Sequence, residues 1–76
     1  MKKIKINDTF YNATKDSPIL RSALINMGFK PMSDEKTYQT VGRVITLKKA
    51  IKNIGYSLED TNKYLAKNNI AVEIIE

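Results

Sequence analysis

Lys3-Ile4-Lys5-Ile6-Asn7 alternates polar and apolar side chains, and Val72-Glu73-Ile74 does the same near the other end of the chain. A period of two is the signature of a half-buried strand. Each segment is too short to stand alone, so the pattern predicts that the two pair. Lys3 and Lys5 then lie near Glu73 on an outer face while Ile4, Ile6, Val72 and Ile74 point inward, an arrangement that cross-strand charge attraction favours. The direction of pairing, parallel or antiparallel, is left open.

Between these ends the apolar spacing lengthens to that of helices. Asn7 or Asp8 is the expected cap of a short first helix running to about Lys15, with Phe10 and Ala13 or Thr14 inward; its weak propensity makes it depend on packing. Ser17-Pro18 is a stronger start, an N-cap oxygen followed by a residue whose fixed φ suits the first helical position. Leu20, Ala23, Leu24 and Met27 then form one apolar stripe, and Gly28 supplies the residue that ends it. Phe29 is expected to fold back as a core plug before Pro31.

Asp34 is the predicted cap of a third helix with Tyr38, Val41, Gly42 and Ile45 on one face. A mid-helix Gly42 costs roughly 1 kcal/mol against Ala, which implies a neighbour packed on its bare backbone. Thr46 caps a fourth helix, with Leu47, Ala50, Ile51 and Ile54 inward and Lys48, Lys49 and Lys52 outward, until Gly55 stops it. Ser57 with Asp60 three residues on approximates a capping box. It opens a fifth helix, with Leu58, Thr61 and Leu65 inward, that ends at Asn68-Asn69. The predicted fold is mainly α, a compact array of about five short helices with short N- and C-terminal β-strands that pair.

Length sharpens this picture. With 76 residues there is room for one core, and a domain of such size buries only about 60% of the surface its unfolded chain exposes. The expectation is a single domain over residues 1–76, without linker or targeting segment. Small scaffolds often add disulfides or a metal, but the sequence contains no Cys and no His. That removes disulfides, thiolate zinc, iron–sulfur ligation and thiol nucleophiles, and it fits a reducing cytoplasm. No apolar run approaches the roughly 20 residues of a membrane span.

Catalysis is not expected. General acid–base work near neutral pH usually recruits His, and nucleophilic catalysis needs a base beside the nucleophile. The carboxylate pairs Asp34-Glu35 and Glu59-Asp60 sit at predicted helix starts, where negative charge complements the helix dipole. Gly28, Gly42 and Gly55 are isolated, so there is no phosphate-cradling loop. No metal or cofactor is expected either.

The net charge of +5 is unevenly placed. From Lys36 to Ser57 there are five cations, Lys36, Arg43, Lys48, Lys49 and Lys52, and no acid; from Leu58 onward Glu59, Asp60, Glu73 and Glu76 outnumber Lys63 and Lys67. Such a bias is either a solvated helix face or the footprint of an anionic partner. The helix, Gly55 turn and helix superficially suggest a helix-turn-helix, and Ile54 to Asp60 is similar to a segment of the mercury-resistance-regulator class of transcription factors. However, Ile51 is bulky where that motif packs tightly, Thr61 stands where an aliphatic residue is expected, and Glu59 and Asp60 repel phosphate.

Met27-Gly28-Phe29-Lys30-Pro31 and Thr40-Val41-Gly42-Arg43, eight residues apart and followed by Thr46-Leu47-Lys48-Lys49, resemble domain-of-unknown-function family 1858. The resemblance runs nearly end to end, from the Ser17-Pro18 helix to the Gly55, Ser57 to Asp60 and Leu65 pattern. It implies a small bacterial helical domain that occurs alone or joined to hemerythrin-like and PAS modules, similar to the N-terminal segment of iron–sulfur cluster repair proteins. Some relatives carry a Cys pair shortly after the Gly-Phe turn, where this chain reads Lys30-Pro31-Met32-Ser33, so no thiol or cluster role carries over. It departs from the family also at Glu35, at Ala50 or Ile51, and at Asn69.

Within these phrases Arg43 is the candidate with chemistry, one residue past Gly42 and near Lys48 and Lys49 across the Thr46 turn. With Lys52 this cluster can hold an acidic protein surface or a phosphate. The alternative is that Val41 and Gly42 serve packing while Arg43 caps a helix C-terminus or pairs with Asp34 or Glu35. Ser17, Pro18, Gly28, Phe29, Val41, Gly42, Gly55 and Ser57 are read as structural. The leading expectation is a non-catalytic accessory or protein-interaction module, with a protein partner or a homodimer through the terminal strand edge or Ile75. Nucleic-acid or anion binding through the basic helix face, and small-ligand sensing, are the alternatives.

Overall fold

Four of the five helix starts read from the sequence, at Ser17, Asp34, Thr46 and Ser57, are used by the computed structural model, which describes residues 2–76, and the first moves to Thr9. The α-helices are α1 (Phe10–Thr14), α2 (Pro18–Met27), α3 (Glu35–Thr40), α4 (Leu47–Asn53) and α5 (Leu58–Lys67). Their N-cap side chains are Thr9, Ser17, Asp34, Thr46 and Ser57, and each accepts a hydrogen bond from the backbone N–H three residues on. Such a cap is typically worth about 1 kcal/mol, a large help to helices this short. Strands β1 (Lys2–Lys5) and β2 (Val72–Ile75) pair in parallel, with Lys3 opposite Glu73 and Ile4 opposite Ile74.

The first helix starts later than Asn7 or Asp8, because the backbone around Asp8 is occupied elsewhere. The Asp8 N–H donates to the Lys5 carbonyl in a turn, and the Asp8 and Ile6 carbonyls accept from the N–H groups of Leu47 and Lys48 at 2.9 Å each. Thr9 bridges antiparallel to Thr46, and the Phe10 N–H donates to the Ile45 carbonyl. The segment 6–10 therefore caps the start of α4 with its backbone while Thr9 caps α1 with its side chain.

The third helix ends earlier than its apolar pattern predicts. It stops at Thr40, whose hydroxyl donates to the Lys36 carbonyl, and Val41–Arg43 tightens into a 3-10 turn. The tighter winding lets Ile45 reach Phe10. It also turns Val41, predicted inward, out to 48% exposure, while Gly42 goes in. The bare Gly42 backbone does have packed neighbours: a Cβ built there would meet Tyr38 Cδ1 at 3.4 Å and Met32 Sδ at 3.5 Å.

One apolar cluster joins all the elements. Ile4 and Ile74 enter it from the terminal strands, Ile6 from the turn after β1, Phe10 and Ala13 from α1, the predicted stripe Leu20, Ala23, Leu24 and Met27 from α2, and Leu47, Ala50, Ile51 and Leu65 from α4 and α5. Phe10 is its centre, edge-on to Phe29 at 5.4 Å and to Tyr38 at 6.0 Å. Pairs of this geometry contribute about 0.5–1.5 kcal/mol beyond their area. Phe29 is the plug expected from the Gly28 turn, and Met32, in the 3-10 turn Lys30–Ser33, is a second one that the sequence pattern did not single out.

Two buried hydroxyls are satisfied locally. Thr14 Oγ1 donates to the Phe10 carbonyl at 2.8 Å, which leaves the Tyr38 hydroxyl as the donor in its 2.7 Å contact with Thr14. Thr61, fully buried at the inward position expected of it, gives its proton to the Ser57 carbonyl at 2.8 Å. A bonded Thr therefore serves as a core residue in α5 without leaving a polar group unpaired.

Candidate functional site

The basic face is built by α4. Its inward positions are filled by Leu47, Ala50 and Ile51, which forces Lys48, Lys49 and Lys52 to solvent. With Thr46 and Asn53 the three lysines line a shallow depression of about 360 Å³ that contains no carboxylate. The first three N–H groups of α4 are already taken by the Asp8 carbonyl, the Ile6 carbonyl and Thr46 Oγ1. An anion here meets lysine side chains alone.

Arg43 is not among the residues lining that depression. Its guanidinium lies over the Tyr11 ring at 4.1 Å, and Nη2 donates to Gln39 Oε1 at 3.0 Å. Gln39 Nε2 in turn donates to Glu35 Oε1 at 3.1 Å, and the other Glu35 oxygen accepts from Arg21 Nη1 at 3.2 Å. Arg43 thus pairs with neither Asp34 nor Glu35 directly; Gln39 stands between. Asp34 is committed to its cap, accepting from both the N–H and the hydroxyl of Thr37.

The chain of contacts closes into a belt. Arg21 stacks on Tyr38 at 3.6 Å, and Tyr38 packs against Tyr11 at 5.2 Å, so two arginines sandwich two tyrosines. Arg21 is further fixed by Nε and Nη2, which both donate to the Met32 carbonyl. The backbone N–H and hydroxyl of Thr37 hold the Asp34 carboxyl below the usual carboxylate range. Glu35 is lowered too, first by the Gln39 amide and then by Arg21.

A cleft of about 460 Å³ runs beside this belt, bordered by Tyr11, Lys15, Arg21, Ser22, Tyr38 and Gln39 among others. Its volume suits a small molecule. Apart from Lys15, its charged groups are already engaged with one another and with the two tyrosine rings, so the belt reads as a clamp holding α3 to α1 and α2.

What the belt leaves free is its outer end. Among the described residues Arg43 has no carboxylate within ion-pairing distance. The turn that carries it also presents Val41 and Val44, the latter 80% exposed. The Val41 carbonyl accepts from the N–H groups of both Val44 and Ile45, which closes Val41 to Val44 into one turn. This turn is a ridge, with Val41 and Val44 exposed at its two ends and Arg43 between them in sequence. Val44 and Tyr11 were missed by sequence reasoning, as was the belt residue Arg21. The i, i+4 spacing of Glu35, Gln39 and Arg43 was the one legible signal of the belt.

Among the described residues no group of three His, Cys, Asp or Glu side chains can hold a metal ion, and no helix is long and apolar enough to cross a membrane. No family model, no curated protein and no solved structure matches this chain.

Proposed function

We propose that this chain is a non-catalytic accessory module that docks onto another protein through the Val41, Arg43 and Val44 ridge. The observation that carries this reading is two exposed valines in the same turn as a cation that has no carboxylate within ion-pairing distance among the described residues. Isolated surface hydrophobics are ordinary, whereas a contiguous apolar feature rimmed by polar groups marks interaction surfaces. Tyr11 and Gln39 hold the arginine in place before any partner arrives, which lowers the ordering cost of binding. The reading places the chain in a bacterial cytoplasm, on its lack of cysteine and on the order of the phrases shared with domain-of-unknown-function family 1858.

The test is selection of partners from native cell extract by the wild-type chain and by Val44→Asp and Arg43→Ala variants, with folding checked by amide NMR spectra. A stoichiometric protein retained by the wild type and lost by both variants is the expected result. Identical retention by all three chains would overturn the reading.

A second reading, binding of nucleic acid or another anion, is supported by the carboxylate-free depression between Lys48, Lys49 and Lys52. Affinity for short DNA or RNA would then fall steeply between about 50 and 200 mM salt, as counterion release requires. Absence of binding at the lower salt ends it.

A further inference from the structure

The acidic end of the chain carries a feature that complements the ridge. Between α5 and β2 lies an apolar groove of about 480 Å³, floored by Ala66, Ile70, Ala71 and Val72, with Glu73 as its sole charged lining residue. Glu73 stands opposite Lys3 in the sheet, yet among the described residues it makes no ion pair. The molecule therefore presents an apolar ridge beside an unpaired cation and an apolar groove beside an unpaired anion. The two share no residue, and they belong to segments of opposite charge: five cations and no acid over residues 36–57, four acids against two lysines over residues 58–76.

We infer that the chain self-associates head to tail, the Val41 and Val44 ridge of one copy seating in the α5–β2 groove of a second, with Arg43 meeting Glu73. This rests on the reading of the ridge as a docking surface and names its occupant. Burying the valines against Ala66, Ile70 and Val72 provides the drive, while the Arg43–Glu73 pair fixes orientation; ridge-on-ridge or groove-on-groove contact would bring like charges together. Because ridge and groove are different patches, a docked pair still offers one free ridge, on one copy, and one free groove, on the other. Such a heterologous contact adds copies in sequence instead of stopping at a symmetric dimer.

Strand pairing is the competing route to self-association, and the structure restricts it. Both main-chain groups of Ile74 are taken by Asn62, whose Nδ2 donates to the Ile74 carbonyl at 2.9 Å and whose Oδ1 accepts its N–H at 2.8 Å. The centre of β2 is therefore closed to an added strand, and Ile75 is half-buried.

The experiment is sedimentation equilibrium of the full chain up to about 1 mM, since interfaces below roughly 1,200 Å² characterise weak pairing. The expected result is an average mass that climbs with concentration past that of a dimer and falls several-fold in association strength at high salt. Arg43→Glu and Glu73→Lys should each abolish association alone. Mixed one to one they should restore it, because opposite charges again face each other at both contacts. Ala66→Trp, at an exposed helix position, fills the groove without touching charge or core and should also leave a monomer. A wild-type chain that stays monomeric overturns the inference, as does association that survives Ala66→Trp or a mixture that fails to associate while both charge variants are folded. A monomeric chain whose Val44→Asp variant still loses a different protein overturns self-association and leaves the docking role standing. Loss of neither overturns both.

Discussion

Gly28 and Gly42 lie in the two phrases that carry the family resemblance, and only one of them needs to be glycine. Gly28 has φ +150°, and a Cβ there would meet Ile54 Cγ2 at 3.2 Å. Its N–H caps α2 by donating to the Ile25 carbonyl, and the Phe29 N–H reaches back to Leu24. Gly28→Ala should therefore destabilise the fold by more than about 1 kcal/mol, because the backbone must strain and Ile54 must move. Gly42 has no positive φ, and its virtual Cβ would make ordinary contacts with Tyr38 and Met32. Gly42→Ala should be neutral or stabilising by about 0.4–1 kcal/mol, through the lost freedom of the unfolded chain. Thermal or urea unfolding of the two variants checks the contrast, and a large loss at Gly42 would show that its neighbours cannot yield a few tenths of an ångström. The mid-helix packing role inferred from sequence thus becomes permissive, since the segment is a 3-10 turn.

At the scale of elements, the helices were legible where a cap preceded an apolar stripe and obscure where backbone from a distant segment intervened. Ser17-Pro18, Thr46 and Ser57 each announce a start that depends only on neighbouring residues. The start of α1 and the end of α3 depend instead on Ile6, Asp8 and Phe10 bonding to the segment 45–48, and no local pattern records that. The same holds for Arg43, whose Gln39 contact follows from helical spacing but whose Tyr11 contact comes from another helix. The junction of α2 with α3 yields a pH prediction. Gln39 and Arg21 hold the Glu35 carboxyl low, so in the folded state it binds a proton less readily than in the unfolded chain. Its stabilising contribution is then fully present above the ordinary carboxylate range near pH 4 and lost as pH falls through the lowered folded value. Wild type should melt above Glu35→Gln at pH 7, by a margin that shrinks toward pH 3 and that salt reduces, Glu35 being 67% exposed. A margin independent of pH would mean that Glu35 acts through packing alone.

The α5–β2 contact turns on Asn62. Its side-chain amide substitutes for a third strand, giving Ile74 both a donor and an acceptor in a region that is otherwise apolar. Asn62→Ala should leave both groups short of partners and cost about 1–3 kcal/mol, the penalty for unsatisfied buried polar groups. Asn62→Asp should fall between, since it keeps the acceptor for the N–H and loses the donor to the carbonyl. Amide exchange at Ile74 is the direct readout, with acceleration expected in the Ala variant beyond the global loss of stability. Unchanged protection would show that water or a neighbouring residue takes over.

For the whole molecule the parallel pair of terminal strands is the feature the sequence left open, and it has a kinetic consequence. The alternation of Lys3 to Asn7 and of Val72 to Ile74 revealed two strands and their inward faces, and Ile4, Ile6 and Ile74 are indeed buried. Direction was illegible because Lys3 faces Glu73 under either sense, and only the crossing of the intervening helices fixes it. Pairing Ile4 with Ile74 closes a loop of nearly the whole chain, whereas α2, the Lys30–Ser33 turn and α3 meet through near neighbours in sequence. Loop-closure entropy must be met before distant contacts return any free energy. The sheet should therefore form after the helical core, late on the folding route. Ile74→Val removes one buried methylene and should cost about 0.5–1.5 kcal/mol, appearing almost wholly as faster unfolding with the folding rate little changed. Leu24→Val, on the stripe of α2 that packs locally, should slow folding instead. Stopped-flow rates across a denaturant series decide between them: slower folding of the Ile74 variant would place the terminal strands in the nucleus, and the chain would then have to bring its two ends together before its helices settle.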